Sequence, residues 1–140
     1  MPAAALTPRI RMMAICNRVA ESRTEIGVFN LKGVRQSIAA ERFPCVPRKL
    51  WLFLVLSSPR PGEFPGYVRV IHDRTDKAVF FAHLAKPTFD ANGDWLASTT
   101  ALRCRFPEAG QFTVQVWFFQ KDGNDILKGE IPFFVEEVVQ

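Results

Sequence analysis

The residues of this chain that could bind a metal ion are two histidines and a few nearby carboxylates. His72 precedes Asp73 and Asp76, and residues 90–94 (Asp-Ala-Asn-Gly-Asp) copy the spacing that opens a calcium-binding loop. That match fails at the sixth and twelfth positions, where the loop requires glycine and glutamate. His83 is the other histidine. Hairpin pairing would place it on the same face as His72 but about 13 Å away, too far to share one zinc ion. We expect no metal site and no cofactor.

The possible nucleophiles lack the sequence contexts that activate serine and cysteine. Ser57 and Ser58 lie in a proline-rich turn, without the Gly-x-Ser-x-Gly elbow that presents a catalytic serine. Cys45 lies between two prolines, whereas Cys16 and Cys104 fall in strand patterns, where cysteine behaves as a small core residue. The eight glycines form no phosphate-binding loop. We therefore predict that the protein is not an enzyme.

The composition is typical of one globular domain that spans residues 1–140. Apolar residues make up 48% of the chain and charged residues 23%, which excludes a disordered chain. No apolar run approaches the roughly 18–20 residues of a membrane span. Arg9 and Arg11 interrupt the only apolar stretch near the start, so we expect no secretion signal. Three widely spaced cysteines favour reduced thiols and a cytoplasmic location.

The hydrophobic pattern has a period of two, which is typical of β-strands. Residues 112–119 alternate, and residues 67–72 and 79–84 flank a polar hairpin loop. Asn92-Gly93 and Asp122-Gly123 predict two more hairpin turns. Seven to eight short strands predict an all-β, antiparallel sandwich.

The N-terminal third of the chain is less regular. Residues 10–19 and 25–29 fit strands joined by a turn at residues 21–24. Residues 34–40 fit either a strand or two turns of helix. Residues 50–56 form a strand that is ended by the prolines after Ser57.

The segment Phe106-Pro-Glu-Ala-Gly-Gln-Phe112 and the hairpin after it resemble the E–F corner and F–G hairpin of immunoglobulin-like sandwiches. Phe112 stands where those folds often have a tyrosine. The chain as a whole resembles an uncharacterised bacterial family of single-domain proteins. The resemblance is carried by short motifs: Ala14-Ile-Cys16, Gly27-Val-Phe29, Leu31-Lys-Gly-Val34, Phe43-Pro44, the strand from Trp51 to Leu56, and Gly110-Gln-Phe112. It implies a β-sandwich and transfers no activity or site residues.

Two predicted strands are apolar on both faces, although a sandwich strand has only one inner face. Residues 50–56 carry Trp51 and Phe53 opposite a row of leucines, and residues 112–119 carry Trp117 and Phe119 on their second face. If these strands are neighbours, the four aromatic side chains form one outward cluster that could be an interface. The alternative is that residues 1–9 or 30–47 cover it. We predict a non-catalytic interaction module or assembly subunit, whose partner is another protein or a second copy.

Two other functions stay open. The net charge of +4 divides unequally, because residues 1–60 hold 10 Lys and Arg against 3 Asp and Glu. Nucleic acid could bind to this basic half, but the arginines stand singly and no stacking motif accompanies them, so we do not expect it. A small-ligand or carbohydrate-binding sandwich would use polar groups around Trp95 and Tyr67.

Overall fold

A computed structural model describes residues 7–120 and 123–138, in which every regular element is a β-strand. The predicted all-β sandwich is confirmed. Eight strands are longer than four residues, as the sequence predicted, and three very short ones bring the number in the described residues to eleven. In chain order they are β1 (Arg9–Glu21), β2 (Phe29–Val34), β3 (Ser37–Ala40), β4 (Trp51–Ser57), β5 (Gly62–Glu63), β6 (Gly66–His72), β7 (Lys77–His83), β8 (Thr88–Phe89), β9 (Trp95–Ala101), β10 (Gly110–Phe118) and β11 (Ile126–Glu137).

The longer strands form two sheets, and a short pair lies beside them. The four-stranded sheet has the order β2-β1-β4-β9, and the five-stranded sheet has the order β3-β11-β10-β6-β7. Strands β5 and β8 form the two-stranded pair. All pairings are antiparallel except that of β3 with β11, which is parallel. Segment 34–40, for which the sequence left strand and helix open, therefore ends in strand β3. The backbone of β3 pairs with that of β11.

The core lies between the two sheets and is built from one parity of each strand. The inward leucines of β4 alternate with its outward aromatic residues, and β10 contributes Phe112 and Phe118 in the same way. Phe106, at the predicted corner, packs edge-on against Phe112 with ring centroids 4.8 Å apart. The described residues contain no helix that could cross a membrane.

One predicted hairpin turn and one predicted strand differ from the structure, and a second predicted turn falls partly outside the described residues. Asn92-Gly93 does form a turn, but Thr88–Phe89 pairs with β5 rather than with β9, so the turn joins two different sheets. The predicted strand 25–29 begins only at Phe29, because residues 22–28 form the loop of the first hairpin. Strands β10 and β11 pair as predicted; Asp122 in the turn between them lies outside the described residues.

Candidate functional site

The four predicted interface aromatics lie in two different sheets. Trp51 and Phe53 belong to β4 in the four-stranded sheet, whereas Trp117 lies on β10 of the five-stranded sheet and Phe119 follows it. The two strands are therefore not neighbours, which a single outward cluster of all four side chains would require. They are central strands of separate sheets, so their apolar outer faces point in opposite directions and need separate covers.

Phe53 is covered by the protein's own first hairpin. Its side chain is only 2% exposed, and its ring lies 5.2 Å from the ring of Phe29, at the start of β2. At the hairpin tip, a Cβ on Gly27 would lie 2.9 Å from the indole of Trp95. The β1–β2 hairpin therefore crosses the outer face of the four-stranded sheet. The contacts that cover Phe53 and Trp95 come from residues 27–29, whereas the alternative considered from the sequence was cover by residues 1–9 or 30–47; residues 1–6 lie outside the described part.

A cleft of about 650 Å³ remains between the hairpin and β9. Its walls combine apolar side chains, among them Val19 and Phe29, with two carboxylates, Glu21 and Asp94, and the hydroxyl of Thr99. Trp95 lines the cleft, but Tyr67 lies in the other sheet, on β6. The two aromatic residues considered for ligand binding therefore do not share a site.

The outer face of the five-stranded sheet carries an exposed aromatic cluster. Tyr67 is at its centre, because the strand register places it opposite both Trp117 on β10 and His83 on β7. The Tyr67 ring is stacked on Trp117 at 6.2 Å and lies 4.8 Å from Phe81 and 5.1 Å from Phe119. His83 contacts both phenylalanines. We call these five residues, Tyr67, Phe81, His83, Trp117 and Phe119, the aromatic platform.

Two polar groups of the platform, the Tyr67 hydroxyl and the Trp117 indole N–H, are paired within the chain. The Tyr67 hydroxyl donates to Asp125 Oδ2 at 3.0 Å, and burial together with this carboxylate raises the tyrosine pKa. The Trp117 indole N–H donates to Gln115 Oε1 at 3.0 Å, and the Arg69 guanidinium lies 5.1 Å above the same indole ring. The surface that remains for a partner therefore consists of ring faces and edges, together with the exposed imidazole of His83.

Of the four aromatic residues that the sequence indicated, only Trp117 and Phe119 belong to the platform, and the structure adds three more residues to them. Phe81 is 52% exposed and Phe119 is 38% exposed. The sequence analysis missed Tyr67, Phe81 and His83 as members of this surface. Their alternation along β6 and β7 was visible, but joining them to Trp117 required the register of three strands.

The two histidines lie on opposite faces of the five-stranded sheet. The prediction that hairpin pairing puts both histidines on one face is wrong, because His72 pairs with Lys77 and His83 pairs with Tyr67, with a register shift between Val70 and Ile71. His72 points into the core, where it is 3% exposed and its ring packs on Phe112. Within residues 7–120 and 123–138, no three His, Cys, Asp or Glu side chains are grouped to hold a metal ion.

His72 belongs instead to a polar cluster at one end of the sheets. Its Nδ1 accepts a hydrogen bond from the backbone N–H of Arg74 at 3.2 Å, and its buried Nε2 lies 2.9 Å from Glu108 Oε1. The Arg74 guanidinium also donates to Glu108. Hydrogen bonding from Arg74 is the main cause that lowers the pKa of Glu108, and the nearby His72 adds to it.

The lowered pKa of Glu108 predicts a loss of stability in acid. A carboxylate whose pKa is lower in the folded than in the unfolded chain stabilises the fold above its ordinary pKa of 4.5, and this contribution disappears as the pH falls through the folded-state value. We expect Glu108→Gln to reduce the difference in denaturation midpoint between neutral pH and about pH 3. Glu136→Gln, at an exposed position of β11, is the control. Equal acid sensitivity of wild type and Glu108→Gln would contradict the prediction.

The cysteines are positioned as core residues rather than nucleophiles. Cys16 and Cys104 are buried, and burial raises the pKa of both thiols, that of Cys104 to about 12. These two cysteines are therefore held in the thiol form, which is the weak nucleophile. Cys45 is half-buried, and its backbone pairs with that of Phe106.

Comparison with known proteins gives a likeness of fold. No family model and no curated protein matches the chain. Among solved structures, the alkylpurine DNA glycosylase AlkC of Pseudomonas fluorescens, bound to DNA with an abasic-site analogue, matches 92% of this chain with a TM-score of 0.55 and 12% identity. The chain spans only 30% of that glycosylase chain. At this identity the match shows a shared fold alone.

Two smaller proteins match less well. CopC from Methylosinus trichosporium OB3b matches 76% of this chain and 87% of its own, with a TM-score of 0.40 and 17% identity. The soluble domain of PmoD from Methylocystis matches 91% of this chain and 96% of its own, with a TM-score of 0.37 and 10% identity. The predicted membership of an uncharacterised bacterial family stays a prediction, and the β-sandwich that it implied is confirmed.

Proposed function

We propose that this protein is a non-catalytic, cytoplasmic interaction module that self-associates through the aromatic platform. The observation that carries the proposal is the contiguity of five aromatic rings on one sheet face, with Phe81 52% and Phe119 38% exposed. A large exposed apolar patch on a domain marks an interaction site. Aromatic anchors also contribute most of the binding energy in protein interfaces.

The charges beside the platform favour a second copy of the chain as the partner. Gln115 lies between Arg69 on β6 and Glu130 on β11, and its side chain hydrogen-bonds to both. The same face therefore presents a cation and an anion on the two strands that flank β10. In a twofold symmetric dimer, each copy uses the same patch. Such a rotation can bring the Arg69 side of one copy against the Glu130 side of the other.

The edge of the sheet supports the same partner. Strand β7 is the last strand of the five-stranded sheet, and it carries the exposed Phe81. An edge strand with an exposed apolar side chain tends to pair with another chain. A second copy that covers the platform would also cover this edge.

We expect the wild-type protein to be a dimer in light scattering, and Phe81→Ser/Phe119→Ser to be a monomer. Removing two anchors should cost about 2–4 kcal/mol, which weakens dimerisation by roughly 30- to 700-fold. Phe134→Ser is the matched control, because Phe134 is 39% exposed on the same sheet but lies opposite Gln111, away from the platform. A wild-type protein that is monomeric at every concentration tested would overturn the proposal, as would equal dissociation of the double variant and the control.

A further inference from the structure

The cleft between the first hairpin and β9 has two walls that the fold holds in place. One wall is the β1–β2 hairpin, with Glu21 and Phe29, and the other is β9, with Trp95 and Thr99. The ring of Phe29 lies 5.2 Å from that of the buried Phe53, and this contact anchors the first wall to the sheet. The volume of about 650 Å³ is within the range of roughly 300–1,000 Å³ that is typical of small-molecule sites.

Trp95 presents a partly open indole to this cleft. Its side chain is 48% exposed, although the strand that carries it is paired with β4 along its whole length. The tip of the hairpin packs against the six-membered ring of the indole, because a Cβ on Gly27 would lie 2.9 Å from both Cζ2 and Cη2. The rest of the ring is accessible to a ligand. The face of an indole carries negative charge density and attracts cations.

Two carboxylates line the same cleft. The backbone N–H of Trp95 donates to Asp94 Oδ1 at 3.0 Å, and that of Asp90 donates to Asp94 Oδ2 at 3.4 Å. These contacts hold the Asp94 carboxylate at the start of β9, and each of its oxygens keeps a further acceptor position. Glu21 is at the end of β1, opposite Phe29, and within residues 7–120 and 123–138 it forms no ion pair. Both carboxylates can therefore accept hydrogen bonds from a ligand.

The charge of the cleft is opposite to that of the chain. The protein has 18 Lys and Arg against 14 Asp and Glu, which gives a net charge of +4. Among the described residues that line the cleft there are two acids and no lysine or arginine. An anionic ligand would be repelled by both carboxylates, and a neutral one would leave them without a counter-charge. A cation with an apolar body matches the carboxylates, the indole and the apolar side chains together.

We propose that this cleft binds a small organic cation, an alkylammonium ion with a short apolar body. The carboxylates of Glu21 and Asp94 attract the ammonium group, and the indole of Trp95 stabilises it by a cation–π contact. The apolar body contacts Val19 and Phe29. The cleft is on the outer face of the four-stranded sheet and the aromatic platform is on that of the five-stranded sheet. This binding site is therefore separate from the surface proposed for self-association.

The test is a titration with phenethylamine, which is protonated at neutral pH, followed by NMR. We expect the indole N–H signal of Trp95 to shift, while those of Trp51 and Trp117 stay unchanged. The dissociation constant should be in the millimolar range that is typical of so small a probe. Phenylpropionate has the same ring and chain but a carboxylate in place of the ammonium group, and it should not bind.

Variants separate the contributions of the indole and the carboxylates, and the backbone amide signals of β9 report binding in all of them. Trp95→Leu should weaken binding by about 5- to 30-fold, which corresponds to the loss of a cation–π contact. Glu21→Gln should weaken it by about 2- to 5-fold, as expected for a solvated ion pair. Glu25→Gln is the matched control, because it removes the same charge from the exposed hairpin loop outside the cleft lining. Thermal melting of each variant checks that it is folded.

The proposal is overturned if phenethylamine does not shift the Trp95 signal, if phenylpropionate binds as tightly, or if Glu21→Gln and Glu25→Gln weaken binding equally. Tighter binding of a short peptide with one central lysine than of the free amine would also overturn it, because the occupant would then be a partner protein. Phe81→Ser/Phe119→Ser should bind phenethylamine like the wild type. A failure of the proposed self-association therefore leaves this site intact, and the two results can be told apart.

Discussion

Phe53→Ala is expected to lower the free energy of unfolding by about 3–5 kcal/mol, as large-to-small substitutions of buried phenylalanine do. Phe53 is on the outer face of its sheet, where a side chain would ordinarily be exposed, yet it is only 2% exposed because the first hairpin covers it. Its removal leaves a cavity beneath Phe29 and weakens the attachment of the hairpin. Chemical denaturation measures the loss of stability, and hydrogen exchange of the amides in β2 measures the detachment.

A double-mutant cycle separates this contact from general loss of packing. Phe29→Ala and Phe53→Ala should be coupled by about 0.5–1.5 kcal/mol, since the two rings contact each other directly. Val55→Ala is the control, because Val55 is half-buried on the same face of β4, and its cost should be roughly 1 kcal/mol. Additive effects of the two phenylalanine substitutions, with unchanged exchange in β2, would show that the hairpin does not rest on Phe53.

Most strands of this protein could be predicted because their signals are local. The alternation of residues 112–119 and the apolar run 50–56 depend only on neighbouring side chains, and β10 and β4 lie where these patterns placed them. Residues 34–40 were ambiguous for a physical reason. Strand β3 pairs only with β11, nearly a hundred residues later in the chain, and such a distant partner leaves no trace in the local pattern.

The candidate surfaces depended on strand order and register, which the sequence does not carry. Two-sided apolarity indicated that β4 and β10 each have an apolar outer face, but not that these faces belong to different sheets. The chain covers β4 with its own hairpin and leaves the outer face of β10 exposed.

The close approach of β6 and β10 beneath the platform makes Gly66 a sensitive position. An added Cβ at Gly66 would lie 2.6 Å from the backbone oxygen of Trp117 and 2.9 Å from the ring of Phe118. The backbone oxygen cannot move without shifting β10, to which β6 is paired. We expect Gly66→Ala to cost about 1–3 kcal/mol of stability, as overpacking does in a close-packed core. Because Trp117 is part of the platform, dimerisation should weaken as well.

Gly129→Ala is the control for Gly66→Ala, because it adds the same methyl group at a position where a side chain, and not the backbone, is the neighbour. A Cβ at Gly129 would also be close to a neighbour, 2.8 Å from Cδ1 of Ile10, but that atom is the end of a flexible side chain and can rotate away. Its melting temperature should therefore fall less than that of Gly66→Ala, and its dimerisation should be unchanged because Gly129 lies on the inner parity of β11. If both variants lost equal stability, the close approach at Trp117 would not be what requires glycine at position 66. If Gly66→Ala were destabilised but dimerised like the wild type, the platform would tolerate a shift of β10, and the contact between copies would have to rest on Phe81 and Phe119 alone.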